Sequence, residues 1–128
     1  MAQAKTRLTP AQLEIMNLFW QHGELSVAQV RQMLSSRRAI ARNTVQTMLK
    51  RLADNGWLHA RAQGNAFYFR AARPRKSTLR GMLGQLLDSA FGGSASGLVM
   101  ALMESRRISP AEAGRIRELI DGMQENDK

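Results

Sequence analysis

The chain contains no cysteine, which excludes disulfides, thiolate metal sites and cysteine nucleophiles and suits a reducing compartment. It has only two histidines, His22 and His59, on separate expected elements. There is no HExxH, no glycine-rich phosphate loop after a strand, and no carboxylate pair in apolar surroundings. An enzyme is therefore not expected, nor is a bound metal or other cofactor; His22 suits the C-terminal dipole of the first helix better than a metal. Long apolar runs are also missing. None approaches the roughly 20 residues that span a bilayer, and the N-terminal MAQAKTRLTP has no apolar signal core. The expectation is a cytoplasmic protein with no membrane insertion.

Acids are scarce in one part of the chain. Residues 1–76 carry 13 Lys and Arg against three acids (Glu14, Glu24, Asp54), a net +10, whereas residues 77–128 carry six against seven, a net −1. A merely solubilising surface would not be so lopsided, so the first part is expected to meet a polyanion. The 128 residues allow one domain, or two small ones that share a core with a partner.

Start and stop signals divide the basic part into three short helices. Thr9-Pro10-Ala11-Gln12 can cap and open the first, whose apolar face holds Leu13, Met16, Leu18, Phe19 and Trp20 before Gly23 ends it. Ser26-Val27-Ala28-Gln29 opens a second, carrying Val30, Met33 and Leu34 and running out in Ser35-Ser36-Arg37-Arg38. The third is the stretch ARNTVQTMLKRL from Ala41 to Leu52, closed near Asp54-Asn55-Gly56 with Gly56 suited to a left-handed position. The period then changes from 3.6 to 2. Trp57–Ala62 and Ala66–Ala71 read as strands around the turn residues Gln63-Gly64-Asn65, with Phe67, Phe69, Leu58 and Ala60 lining faces of the ribbon. Three helices followed by a hairpin is the order of a winged helix-turn-helix, the hairpin being the wing.

Arg73-Pro74-Arg75-Lys76 is a basic, proline-bearing break, which sets the expected boundary between residues 1–73 and 74–128. The second part reads as wholly helical, with segments from about Ser77 to Phe91, from Ala95 to Ser105, and onward from the cap Ser109-Pro110-Ala111-Glu112. Its apolar rows (Leu79, Met82, Leu83, Leu86, Leu87; Leu98, Val99, Leu102, Met103; Ile116, Leu119, Ile120, Met123) exceed what some fifty residues can bury alone. A second copy is the natural cover, making this a dimerisation domain. The eight methionines do not suggest a metal site, since every internal one lies on an apolar helical row.

The third helix carries the chemistry. Val45, Met48, Leu49 and Leu52 form one apolar stripe, and Asn43, Gln46, Thr47 and Lys50 cluster on the opposite side. Side-chain amides pair with adenine edges in the major groove, and a threonine methyl can touch a thymine methyl. Arg42 and Thr44 flank that face near the N-terminus, where backbone amides can also meet phosphate. Lys50 and Arg51 lie farther along, better placed for backbone phosphates. Arg37 and Arg38 in the preceding turn either grip phosphate or solubilise a loop. Arg61 and Arg70 on the hairpin are either wing contacts or edge-strand charges that deter aggregation. Arg73, Arg75 and Lys76 read first as a charged linker.

LTPAQLEIMNLFWQHGELSVAQV, NTVQTMLKRLADNGWLHA and GNAFYFRA resemble, in order and spacing, the BlaI/MecI penicillinase-repressor family, to which the CopY copper repressors belong. The similarity runs from about Leu8 to Met123. It implies a mainly α protein: a winged-helix DNA-binding domain, then a three-helix domain that interlocks with its twin, the homodimer binding a palindromic double-stranded operator. Carried over, the base-reading positions are Arg42, Asn43, Thr44, Gln46 and Thr47, with Arg37, Arg38, Lys50, Arg51, Arg61 and Arg70 as phosphate candidates. The interface positions are Leu79, Leu83, Leu86, Leu87, Leu98, Leu102, Ile116, Leu119, Ile120 and Met123.

The resemblance further implies repression of β-lactam-resistance genes and of the protein's own operon, relieved by proteolysis. The family's cleaved Asn-Phe bond would fall here at Ala101-Leu102, where the asparagine is missing. A membrane sensor metalloprotease or a downstream protease of different preference is then a further partner. The copper branch binds metal through cysteine pairs, and this chain has none. Two other readings stay open: a winged-helix module that docks a protein, and a repressor answering to a small effector.

Overall fold

A computed structural model describes residues 7–126. The elements run α1 (Pro10–His22), β1 (Leu25–Ser26), α2 (Val27–Ser35), α3 (Arg42–Asp54), β2 (Leu58–Gln63), β3 (Ala66–Ala71), α4 (Arg75–Phe91), α5 (Ala95–Glu104) and α6 (Pro110–Asn126). The chain divides into two compact units after Arg80.

In the first unit, α1 and α2 both open with reciprocal capping boxes. The Thr9 hydroxyl accepts from the Gln12 amide at 3.2 Å and Gln12 Oε1 accepts from the Thr9 amide at 3.0 Å; Ser26 and Gln29 repeat the pair at 3.2 and 2.8 Å. Each box satisfies two helix-end donors that would otherwise face water. The helix α1 buries Ile15, Met16 and Phe19. Its core face is therefore centred on Ile15, which the expected row omitted, while Leu13, Leu18 and Trp20 sit at the margin, half-buried. Trp20 lies there because its indole N–H donates to the Arg73 carbonyl at 2.9 Å, tying α1 to the chain leaving the sheet.

The helix α3 stops in a Schellman turn. Gly56 takes φ 86, its amide donates to Ala53 at 3.1 Å, and the Trp57 amide donates to Leu52 at 2.9 Å. Trp57 is thus consumed by the helix stop instead of opening the strand, and β2 begins one residue later than expected and extends to Gln63. Gly64 and Asn65 form the two-residue hairpin loop, with Gly64 at φ 62.

The sheet has three strands, not two. Leu25 and Ser26 pair with Phe69 and Tyr68, giving the antiparallel order β1-β3-β2. A two-residue strand has no period to read, so only the distant pairing defines it. One sheet face carries Leu25, Leu58 and Phe69 into the core; they pack with Leu8, Ile15, Met16, Phe19, Val27, Val30, Leu34, Val45, Leu49, Leu52 and Trp57. Phe67 shares that face but lies beyond the core near the hairpin tip, 53% exposed.

In the second unit, α5 is capped by Ser94, whose hydroxyl accepts from the Gly97 amide at 2.9 Å, and the Ser109 hydroxyl caps α6 by accepting from Glu112 at 3.1 Å. The helix α4 starts inside the expected linker, at Arg75, because the Pro74 carbonyl accepts from the Thr78 amide and hydroxyl at 3.3 and 2.8 Å. Among the described residues α4 and α5 bury no side chain, and Leu83, Leu86, Met100, Met103, Leu119, Ile120 and Met123 are all exposed. No single described helix is long and apolar enough to cross a membrane.

Candidate nucleic-acid interface

The two sides of α3 separate cleanly. Val45, Leu49 and Leu52 are 0% exposed and Met48 is half-buried, while Arg42, Asn43, Thr44, Gln46, Thr47, Lys50 and Arg51 are all exposed. Burying Leu49 and Leu52 anchors the helix at about 1.5–3 kcal/mol per side chain, which fixes the orientation of the polar face. Its donors and acceptors are therefore presented on a rigid element.

Thr47 is partly committed. Its hydroxyl donates to the Asn43 carbonyl one turn back at 2.8 Å, leaving its methyl and an acceptor lone pair facing outward. Asn43 and Gln46 keep amides that both donate and accept. At its N-terminus α3 differs from α1 and α2: Ala41 occupies the cap position with no side-chain hydrogen bond. The first amides of α3 thus point outward uncapped, at the positive end of the helix dipole. Beside them lies an open groove of about 710 Å³ lined by Ala28, Arg31, Gln32, Ser35, Ala39, Ile40, Ala41 and Arg42. Arg31 Nε donates to the Ile40 carbonyl at 3.2 Å, bracing the turn that leads into α3.

Three of the other basic candidates, Arg37, Arg38 and Arg61, are paired with acids. Glu14 on α1 faces Arg38 at 3.1 Å and Arg37 at 3.6 Å, one carboxylate against two guanidinium groups. Glu24, just before β1, takes Arg61 side-on: Nη2 to Oε1 at 2.6 Å and Nε to Oε2 at 3.1 Å. Arg61 Nη1 donates to Gln63 Oε1 at 2.6 Å, and its guanidinium lies 5.0 Å from the centre of the Tyr68 ring. Because Tyr68 is on the middle strand, Arg61 reaches from β2 across β3 to the residue that enters β1. The hydrogen bond from Arg61 holds the Glu24 carboxyl below the ordinary glutamate range, against a smaller opposing effect of burial and with help from the charges of Arg61 and Arg70. Arg61 is pushed up in turn, so its charge is permanent.

Arg70 is exposed on β3 opposite His59. Arg73 lies 5.5 Å from the centre of the Trp57 ring, so it packs against the core and not only along a linker. No local pattern marks the acid-arginine contacts, because the partners lie 23 to 37 positions apart. Ala101 and Leu102 lie within α5, and the Leu102 carbonyl accepts from the Ser105 hydroxyl at 3.1 Å and the Arg107 amide at 2.9 Å. The expected interface residues of α4 to α6 are exposed or half-buried.

Comparison with known proteins agrees with this geometry. The family model described as penicillinase repressor matches residues 8–122. The penicillinase repressor of Bacillus licheniformis is 23% identical over 115 residues, covering 90% of each chain. The solution structure of the DNA-binding domain of the repressor BlaI superimposes with a TM-score of 0.52 at 28% identity, covering 59% of this chain and 90% of that one. Wild-type MarR from E. coli gives 0.53 at 13% identity, covering 91% of this chain and 77% of that one, a likeness of fold. With its winged-helix arrangement and a family match spanning nearly its whole length, the chain belongs to the penicillinase repressor family of DNA-binding repressors.

Proposed function

We propose that the protein is a cytoplasmic transcriptional repressor that binds a palindromic operator as a homodimer and blocks promoters by occupying them. One observation carries this reading: the rigid outer face of α3, where exposed Asn43, Gln46 and Thr47 stand beside an uncapped N-terminus in the basic part of the chain. Amides and a methyl suit base edges, and uncapped helix amides suit phosphate. In this reading Arg42, Asn43, Thr44, Gln46 and Thr47 read bases. Lys50, Arg51 and Arg70 contact the backbone, as do Arg37, Arg38 and Arg61 when their carboxylate partners release them.

Residues 1–73 then form the DNA-binding domain and residues 74–128 the dimerisation domain. The exposed rows of α4, α5 and α6 support a second copy as their cover, since rows ending in 60% exposed Met123 and 63% exposed Leu119 are costly to leave in water. The regulated genes are those for β-lactam resistance and the protein's own operon, as membership of the family suggests. Release by cleavage at Ala101-Leu102 requires the last turn of α5 to unwind first, because its carbonyls are engaged. A sensor metalloprotease or another protease fills that role.

The test is the affinity of the full chain for its own upstream region and for a mixed-sequence duplex at two salt concentrations. A steep loss with salt and a specificity ratio of about 10³ or more support the repressor. Absence of binding at low salt overturns it in favour of a protein-docking module.

A further inference from the structure

Two of the three acids in residues 1–76 sit on arginines of the surface assigned to phosphate: Glu14 on Arg37 and Arg38 in the turn before α3, and Glu24 on Arg61 of the wing. A carboxylate and a phosphate present the same oxygen geometry to a guanidinium fork, so they compete for it. Arg61 is the most fully engaged, since each of its three nitrogens has a partner and its plane lies over Tyr68. We propose that Glu14 and Glu24 are specificity-determining residues: they occupy Arg37, Arg38 and Arg61 in place of phosphate, so that DNA of random sequence engages fewer cations than the charge count offers. The inference rests on the DNA-binding reading above.

Exchange is feasible because these pairs are exposed, with side-chain exposures from 28% for Glu14 to 70% for Arg37, and ion pairs in water are weak. It is also unfavourable in isolation, since a phosphate that takes Arg61 must lie beside the displaced Glu24 carboxylate. On a cognate site the base contacts of α3 hold the duplex in register and offset that repulsion. Random DNA lacks those contacts, so the carboxylates hold their arginines and lower non-specific affinity. Glu24 and Glu14 do this without touching a base and are therefore positioning residues.

The experiment measures binding of the full chain to a mixed-sequence duplex of about two helical turns across a salt series, for wild type, Glu24→Gln, Arg61→Gln and the double variant. Each phosphate engaged contributes about 0.9 to the slope of log affinity against log salt. Glu24→Gln is expected to bind severalfold more tightly and to steepen the slope by about one. Arg61→Gln alone is expected to leave the slope unchanged, and the double variant to return to the wild-type slope. A flatter slope for Arg61→Gln alone, or an unchanged slope for Glu24→Gln, overturns the proposal while leaving DNA binding intact. Wild-type protein that binds neither this duplex nor its own upstream region at low salt overturns both. Thermal melts check each variant's fold, and Glu14→Gln with the paired Arg37→Gln and Arg38→Gln changes repeats the cycle on the α2–α3 turn.

Discussion

The backbone amide of Trp57 donates to the carbonyl of Leu52 at 2.9 Å, and both side chains are buried. This closes α3 and starts the wing in one step, and it depends on Gly56 between them at φ 86. Any L-residue with a Cβ pays about 1–2 kcal/mol to hold that conformation. Gly56→Ala should therefore lower the melting temperature by several degrees with little change in the folded-state spectrum. An unchanged melt would show that the turn tolerates a side chain and does not fix the wing.

What could be read from the chain in advance follows the range of each interaction. Thr9 with Gln12 and Ser26 with Gln29 are legible because both partners lie within one helical turn. Gly56 is legible as a stop because its neighbours end an apolar stripe. The strand Leu25–Ser26 is not, since two residues have no period and gain their form from Phe69 and Tyr68, more than forty positions on. Glu14 and Glu24 were visible only as a small negative count, while their positions against Arg38 and Arg61 needed the fold. The apolar rows of α4 to α6 were legible as rows, while what covers them depends on contacts outside a single chain, where many of their side chains are exposed.

The base-reading role proposed for α3 separates from its structural role by comparing two exposed positions. Gln46→Ala should leave stability unchanged, since the side chain is exposed, yet lose about 1–3 kcal/mol of discrimination between cognate and random duplexes. Lys50→Ala should weaken both duplexes alike and flatten the salt slope by about one unit. Equal losses on both duplexes for Gln46→Ala would remove that residue from base reading. Leu49→Ala is a control of another kind: at 0% exposure it should cost about 2–5 kcal/mol of stability.

Dimerisation through the second unit is checked by placing a charge on its exposed rows. Leu86 is 48% exposed and Leu119 63% exposed, so lysine at either fits the isolated chain without disturbing a core. In a dimer the same charge is driven into an apolar interface, where an unpaired ammonium is costly. Leu86→Lys and Leu119→Lys should thus keep the helical content, shift sedimentation toward monomer and weaken operator binding steeply. A variant that stays dimeric and fully operator-bound would place the interface elsewhere.

Acid should dissolve the clamp between Glu24 and Arg61 before it unfolds the protein. The hydrogen bond from Arg61 depresses the Glu24 carboxyl, with the charges of Arg61 and Arg70 adding to it. A carboxyl depressed in the folded state contributes stability that is complete above the ordinary glutamate range and is lost as pH falls through the depressed value. Arg61 is raised and stays charged throughout, so within this pair the change of charge belongs to Glu24. Glu24→Gln lacks the contribution at every pH. The melting temperature of wild type should therefore exceed that of Glu24→Gln at neutral pH, and the difference should shrink as pH falls below the ordinary glutamate range. Because the pair is exposed, raising the salt at neutral pH should shrink the difference as well. Melting curves of both proteins at neutral and acid pH and at two salt concentrations check this, and a difference that persists in acid would assign the stabilisation to packing of the Arg61 stem on Tyr68 instead of to charge.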